Sequence, residues 1–149
     1  IYESLARKDL RMGGFDPDRV YKGFKNLEYR GFLRQQDKGF RFTAKGKKWL
    51  GVSFIRYCKI QNSGKWDRKW RLIIFDIPQE LHNKRNIFRK KLKSLGFYML
   101  QKSVFAFPYP CERELNQLCG ILNISGYVDI VIAESIGSQE GEVKKVFGV

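Results

Sequence analysis

The chain has 149 residues, of which 43% are hydrophobic, 15% aromatic and 30% charged, enough for one medium or two small packed domains and inconsistent with a disordered chain. No run approaches the roughly 20 apolar residues needed to span a bilayer, and no secretory signal is visible. The formal net charge is +14, and it is segregated: residues 1–50 hold 13 Lys/Arg against 6 Asp/Glu, residues 51–95 hold 12 against 3, and residues 96–149 hold 4 against 6.

A field concentrated in the first two thirds points to a polyanion partner rather than to a solubility device. A membrane partner is not expected, because no basic amphipathic segment carries a large apolar face.

Residues 1–12 read as a short helix broken by Gly13-Gly14. Asp16 is a good N-cap, Pro17 suits the first helical position, and Phe15 can staple onto the first turn. The helix they start runs to about Arg30, with Gly31 as its C-terminal stop. Val20, Phe24 and Leu27 form one apolar stripe, and Lys22, Lys25, Asn26 and Tyr29, with Arg19 beside them, lie on the opposite face. Residues 32–36 and 40–43 alternate as two short strands around the turn Asp37-Lys38-Gly39. Helix, glycine turn, helix and basic hairpin, in that order, predict a winged helix-turn-helix over residues 1–50. In such a unit the helix faces base edges, and Arg34, Lys38 and Arg41 reach the flanking phosphates. The competing reading is a small helical domain with a solvated basic face.

Residues 44–60 read as a connecting helix, and residues 51–65 as the stretch that joins two domains. The second domain, 66–149, opens with the buried strand Trp70–Asp76. A helix over 79–95 follows, with Leu81, Phe88, Leu92 and Leu95 inward. Its outer face carries Lys84, Arg85, Arg89, Lys90, Lys91 and Lys93, with no acid between residues 81 and 93. That face is either a second DNA surface or an ordinary solvated one. Strands over 97–101 and 103–107, a helix over 112–122 and a strand over 127–133 complete the order βαββαβ, a ferredoxin-like arrangement. The fold class is therefore α+β, and the tail 137–149 is left open between strand and helix. Trp66, Trp70, Phe75, Phe97, Phe105 and Phe107 are expected in the core.

Little else offers chemistry. Cys58, Cys111 and Cys119 form no CxxC pair and His82 is the only histidine, so no zinc site is expected and the thiols read as reduced, in a cytoplasmic protein. Asp76, at a strand end, admits two readings. It accepts hydrogen bonds from the turn ahead, or it shares a Mg²⁺ or Mn²⁺ with its mate across a dimer and activates water. Glu80 is the only other acid close to it in sequence.

The segments WDRKWRLIIFDIP (66–78), KRNIFRKKLKSLGF (84–97) and LQKSVFAFPYP (100–110) resemble the PaaX family of transcriptional repressors. FDPDRVYKGFKNLEYRGFL and TAKGKKWL are similar to that family's winged helix. The resemblance implies a central module like the CRISPR adaptation subunit Cas-two, a βαββαβ protomer that pairs about a twofold with a metal-binding aspartate at the end of its first strand. That role would fall on Asp76. The implied function is a homodimeric regulator that binds double-stranded DNA and requires no cofactor. A metal-dependent endonuclease or a structural subunit of the Cas-two type is the alternative. Two departures stand out. The family's C-terminal domain does not follow here, so an effector is not implied, and free-standing Cas-two proteins carry no winged helix. With Ile1 in place of Met, the natural N-terminus is expected upstream.

Overall fold

The computed structural model describes residues 16–36, 39–60 and 64–149. The helix expected over 1–12, the Phe15 staple and the hairpin-turn residues Asp37 and Lys38 lie outside the described residues. The chain is α+β and divides into two compact units, Ile1–Arg56 and Tyr57–Val149. No described helix is long and apolar enough to cross a membrane.

In the first unit, α1 (Pro17–Tyr29) starts where the Asp16 carboxylate accepts the Asp18 amide at 3.0 Å. Gly31 (φ +73°) turns the chain into β1 (Leu33–Gln36), a conformation that suits glycine because it carries no Cβ. β1 pairs antiparallel with β2 (Gly39–Phe42), placing Leu33 opposite Phe42 and Arg34 opposite Arg41. Phe24 of α1 stacks on Phe40 with ring centroids 5.3 Å apart, which seats the helix on the hairpin.

α2 (Ala44–Tyr57) follows at once, and the local sequence explains its sharp start. The Thr43 hydroxyl donates to the Gly31 carbonyl at 2.7 Å and accepts the Gly46 amide at 3.0 Å, so one side chain caps α2 and ties it to the end of α1. Lys45 Nζ donates to the Arg30 carbonyl at 2.8 Å, a cation at a helix C-terminus. Gly46 lies so close to the backbone leading into β1 that a Cβ there would stand 1.8 Å from the Phe32 carbonyl oxygen.

The second unit runs β3 (Trp70–Phe75), a 3₁₀ turn Gln79–Leu81, α3 (His82–Ser94), β4 (Tyr98–Gln101) and β5 (Val104–Phe107). It continues with α4 (Glu112–Leu122), β6 (Val128–Ala133) and α5 (Glu140–Phe147). The sheet order is β4-β5-β3-β6 with every neighbour antiparallel, the ferredoxin-like order with β3 central. Alternation along β3 puts Ile73 and Phe75 on one face with Phe105, and Phe75 meets Phe88 of α3 edge-on at 5.3 Å. Trp70 and Leu72 take the other face. There α5 buries Val143 against Trp70 and Ala106, with Phe147 packed beside them. The tail left open between strand and helix is thus a helix, because Val143 and Phe147, four apart, need one stripe to cover the sheet.

All six aromatics expected in the core are buried or, for Trp66, half-buried. The three thiols are free. Burial pushes Cys111 up to about 12 and Cys119 up to about 11, which leaves both inert.

The WDRKWR segment is a lock built around a buried arginine. Arg71 is 5% exposed in the middle of the unit. Its guanidinium donates to both Asp67 oxygens at 2.7 Å, to Glu112 Oε1 at 3.3 Å and to the Lys69 and Pro108 carbonyls. Trp66 shares the Lys69 carbonyl with it, the indole N–H donating there, and packs its ring 5.1 Å from that of Trp70. The hydrogen bonds from Arg71 hold the Asp67 carboxyl down at about 2.

Asp67→Ala leaves the guanidinium buried with one weaker carboxylate. It is expected to cost about 2 kcal/mol in urea unfolding, less than for a fully enclosed pair because Asp67 itself is part-exposed. A second change, Arg71→Met, should restore much of that loss. Because the Asp67 carboxyl titrates lower in the folded state, its contribution is complete above about pH 4 and is lost as pH falls toward 2. The Asp67→Ala variant should show a flatter acid limb over that window.

Candidate nucleic-acid interface

The face of α1 away from the hairpin presents Arg19, Lys22, Asn26 and Tyr29, all exposed, with Tyr29 at 92%. Their spacing over three turns follows from the stripe Val20, Phe24 and Leu27 turning inward, half-buried. Lys25, expected on that same outer face, is turned aside. Its ammonium donates to Glu28 Oε2 at 2.8 Å and to Gln35 Oε1 at 3.0 Å and lies 5.6 Å from the Phe40 ring. The Glu28 hydrogen bond, opposed by partial desolvation, raises the Lys25 pKa. This residue fastens α1 to β1, with the Gln35 amide donating to Glu28 as the second tie. A lysine one turn before a glutamate, beside a strand, is neutralised locally, which helical spacing alone does not reveal.

On the hairpin, Arg34 and Arg41 are directly opposite each other and both exposed. Two like charges in register weaken a hairpin. Among the described residues neither has an acidic partner. Lys38 lies outside the described residues. Below this pair the hairpin meets α2 in an open concavity of about 530 Å³ lined by Arg34, Gln36, Arg41, Thr43, Ala44 and Lys47. Lys47 was not singled out by the sequence. The signal was the basic run at the start of α2, which reads as part of a connecting helix until the hairpin is folded against it.

The helix α3 does not present the uniform basic face expected of it. Lys91 is buried, 8% exposed, and donates to the Cys58 carbonyl at 2.9 Å. The reason is positional: with Phe88, Leu92 and Leu95 it occupies the i, i+3, i+4, i+7 stripe, so it points inward and is spent on a backbone carbonyl. Arg85 is half-buried and donates to the Ile77 carbonyl and to Gln79 Oε1, bracing the turn after β3. Lys84 and Arg89 are half-buried, and only Lys90 and Lys93 are fully exposed.

Asp76 stands exposed just beyond β3, its amide donating to the Tyr127 carbonyl at 3.0 Å. The β3–β6 register adds an acid that linear distance concealed. Asp129 lies opposite Ile74, on the sheet face of Leu72 and Ile74, two residues along β3 from Asp76. Among the described residues no three His, Cys, Asp or Glu side chains converge.

Residues 63–144 match the family model described as the PaaX protein central Cas2-like domain. No curated protein and no solved structure matches the chain. The matched stretch is more than half of the sequence, and it holds the buried Arg71 lock and the antiparallel sheet with β3 at its centre: the chain belongs to the PaaX family.

Proposed function

We propose that this protein is a DNA-binding transcriptional regulator acting as a homodimer. The first unit serves as a winged helix-turn-helix and the second as the dimerisation module. The observation that carries the reading is the unpaired charge on the first unit. Arg19 and Lys22 on α1, and Arg34 facing Arg41 on the hairpin, are exposed and have no acidic partner among the described residues. Charges so placed do not help folding, and they suit a duplex whose phosphates neutralise them. In this reading Lys22 and Asn26 face base edges, while Arg34, Lys38 and Arg41 position the protein on the backbone. Lys84, Lys90 and Lys93 provide a weaker second surface. Family membership agrees with the regulator.

The dimer reading rests on β6. It is an edge strand whose Val131 and Ile132 are exposed, in the one segment of the chain that is not basic. Two chains of net charge +14 repel, so they meet where the charge is least. Sedimentation equilibrium at tens of micromolar should give twice the chain mass, and Ile132→Lys should give the monomer. A wild-type monomer would remove the twofold and, with it, any metal shared between two Asp76 residues.

The reading is tested by incubating the protein with labelled duplex DNA and with RNA, in Mg²⁺ or in EDTA, scoring mobility shift and cleavage together. The expected result is a duplex shift in both buffers, no cleavage, and an unchanged shift in Asp76→Asn. Metal-dependent cleavage abolished by Asp76→Asn would assign the endonuclease instead.

A further inference from the structure

The concavity under the hairpin brings together groups that neither the apolar core nor any ion pair uses. Arg34 and Arg41 approach it from paired positions on β1 and β2, and Lys47 from the first turn of α2. None of the three has an acidic partner among the described residues. The first-turn amides of a helix have no acceptor within the helix. Here Thr43 Oγ1 takes the Gly46 amide and the Thr43 carbonyl takes the Lys47 amide, which leaves those of Ala44 and Lys45 without an acceptor among the described residues. The geometry is fixed from behind. Gly46 is pressed on the Phe32 backbone, and Lys45 Nζ is drawn away to the Arg30 carbonyl, so it does not crowd the opening. The result is an open recess lined by the three cations, with Phe42, Thr43 and Ala44 beside them, of a size that admits a tetrahedral anion.

We propose that this recess seats one phosphate group, with Lys47 and Arg41 as its principal ligands, and that its occupant is a backbone phosphodiester of the bound duplex. The inference deepens the DNA-binding reading and rests on it for the occupant. A phosphate group on a small molecule presents the same chemistry, and the test separates the two sources. Arg34 and Arg41 relieve their mutual repulsion when the anion enters, so occupancy also stiffens the hairpin.

Two measurements on the full chain decide it. In the first, duplex binding is followed by fluorescence anisotropy against KCl for the wild type, Lys47→Gln and, as a control outside the recess, Lys48→Gln. Removing one seated phosphate should lower the magnitude of the salt slope by about 1 in Lys47→Gln and weaken all sequences alike, roughly tenfold at low salt, with Lys48→Gln close to wild type. In the second, ¹H–¹⁵N spectra are recorded during titration with inorganic tripolyphosphate. Saturable shifts at the amides of Ala44 and Lys45, lost in Lys47→Gln, are expected. If the wild type binds duplex and Lys47→Gln keeps the full slope, the proposal is wrong while the DNA reading stands. If the wild type does not bind duplex but tripolyphosphate moves those amides, the recess is a phosphate site for a small molecule, and the backbone occupant is overturned. If neither probe engages the recess, the proposal fails entirely.

Discussion

Gly46→Ala is expected to unfold the N-terminal unit while leaving the C-terminal unit intact. The added methyl would stand 1.8 Å from the Phe32 carbonyl oxygen and 3.1 Å from Phe42 Cδ1. Overpacking usually costs about 1–3 kcal/mol because side chains can shift rotamer. Here the obstacle is the backbone just ahead of β1, held by the Thr43 amide, which donates to that same carbonyl at 3.0 Å. Relief requires α2 to lift off the hairpin, which also breaks the Thr43 cap and the Lys45–Arg30 tie. A unit of this size has only about 3–8 kcal/mol of stability to lose. Two-dimensional NMR should show first-unit resonances collapsing to random-coil positions, with second-unit peaks unmoved. The same chemical change at Gly23, in the exposed part of α1 where no atom lies within 4 Å of a new Cβ, should stabilise by about 0.5–1 kcal/mol. Opposite signs for one substitution at two helical glycines would locate the effect in the contact rather than in helix propensity.

A second large change is expected from salt alone. Residues 1–95 carry 25 Lys/Arg against 9 Asp/Glu. The structure withdraws several of these cations from the surface: Lys25 to Glu28, Lys45 to a helix end, Arg71 and Lys91 to the interior, Arg85 to a turn. What remains on α1, the hairpin and the first turn of α2 is Arg19, Lys22, Arg34, Arg41 and Lys47, all exposed, and Lys38, in the sequence between the two strands, makes a sixth cation. About six neutralised phosphates correspond to a slope of log affinity on log salt near −5, or about 10³-fold weaker binding in 200 mM than in 50 mM KCl. A binder that worked through stacking on exposed aromatics such as Tyr29 would lose far less over that range.

Much of this was legible in the sequence, and the reasons differ by element. Asp16, Pro17 and Gly31 bound α1 because caps act through single residues with fixed backbone needs. The βαββαβ order could be read because β3 and α3 are long, strongly patterned segments, and the family motif anchored them. Where the reading failed, a partner distant in sequence decided the outcome. Lys91 looks like a surface cation until Phe88, Leu92 and Leu95 define the buried stripe and the Cys58 carbonyl supplies an acceptor 33 residues away. Asp129 comes to the end of β3 that leads into Asp76 only through the β3–β6 register. Lys47 joins the hairpin cations because Gly46 and Thr43 press the start of α2 against β1, a contact made by backbone atoms that no hydrophobic pattern records. The Arg71 lock was visible as a motif, but its meaning was not. An arginine inside a strand reads as an outlier until Asp67, Glu112 and two carbonyls surround it.

The most direct test of DNA binding by the first unit is fluorescence anisotropy of a labelled duplex titrated with the protein at a series of KCl concentrations. The measurement is repeated with a double Lys22→Ala/Arg41→Ala variant. Saturable binding with a slope near −5, reduced in magnitude by one to two in the variant, is the result predicted. A wild-type slope near zero, or a variant indistinguishable from wild type, would contradict it.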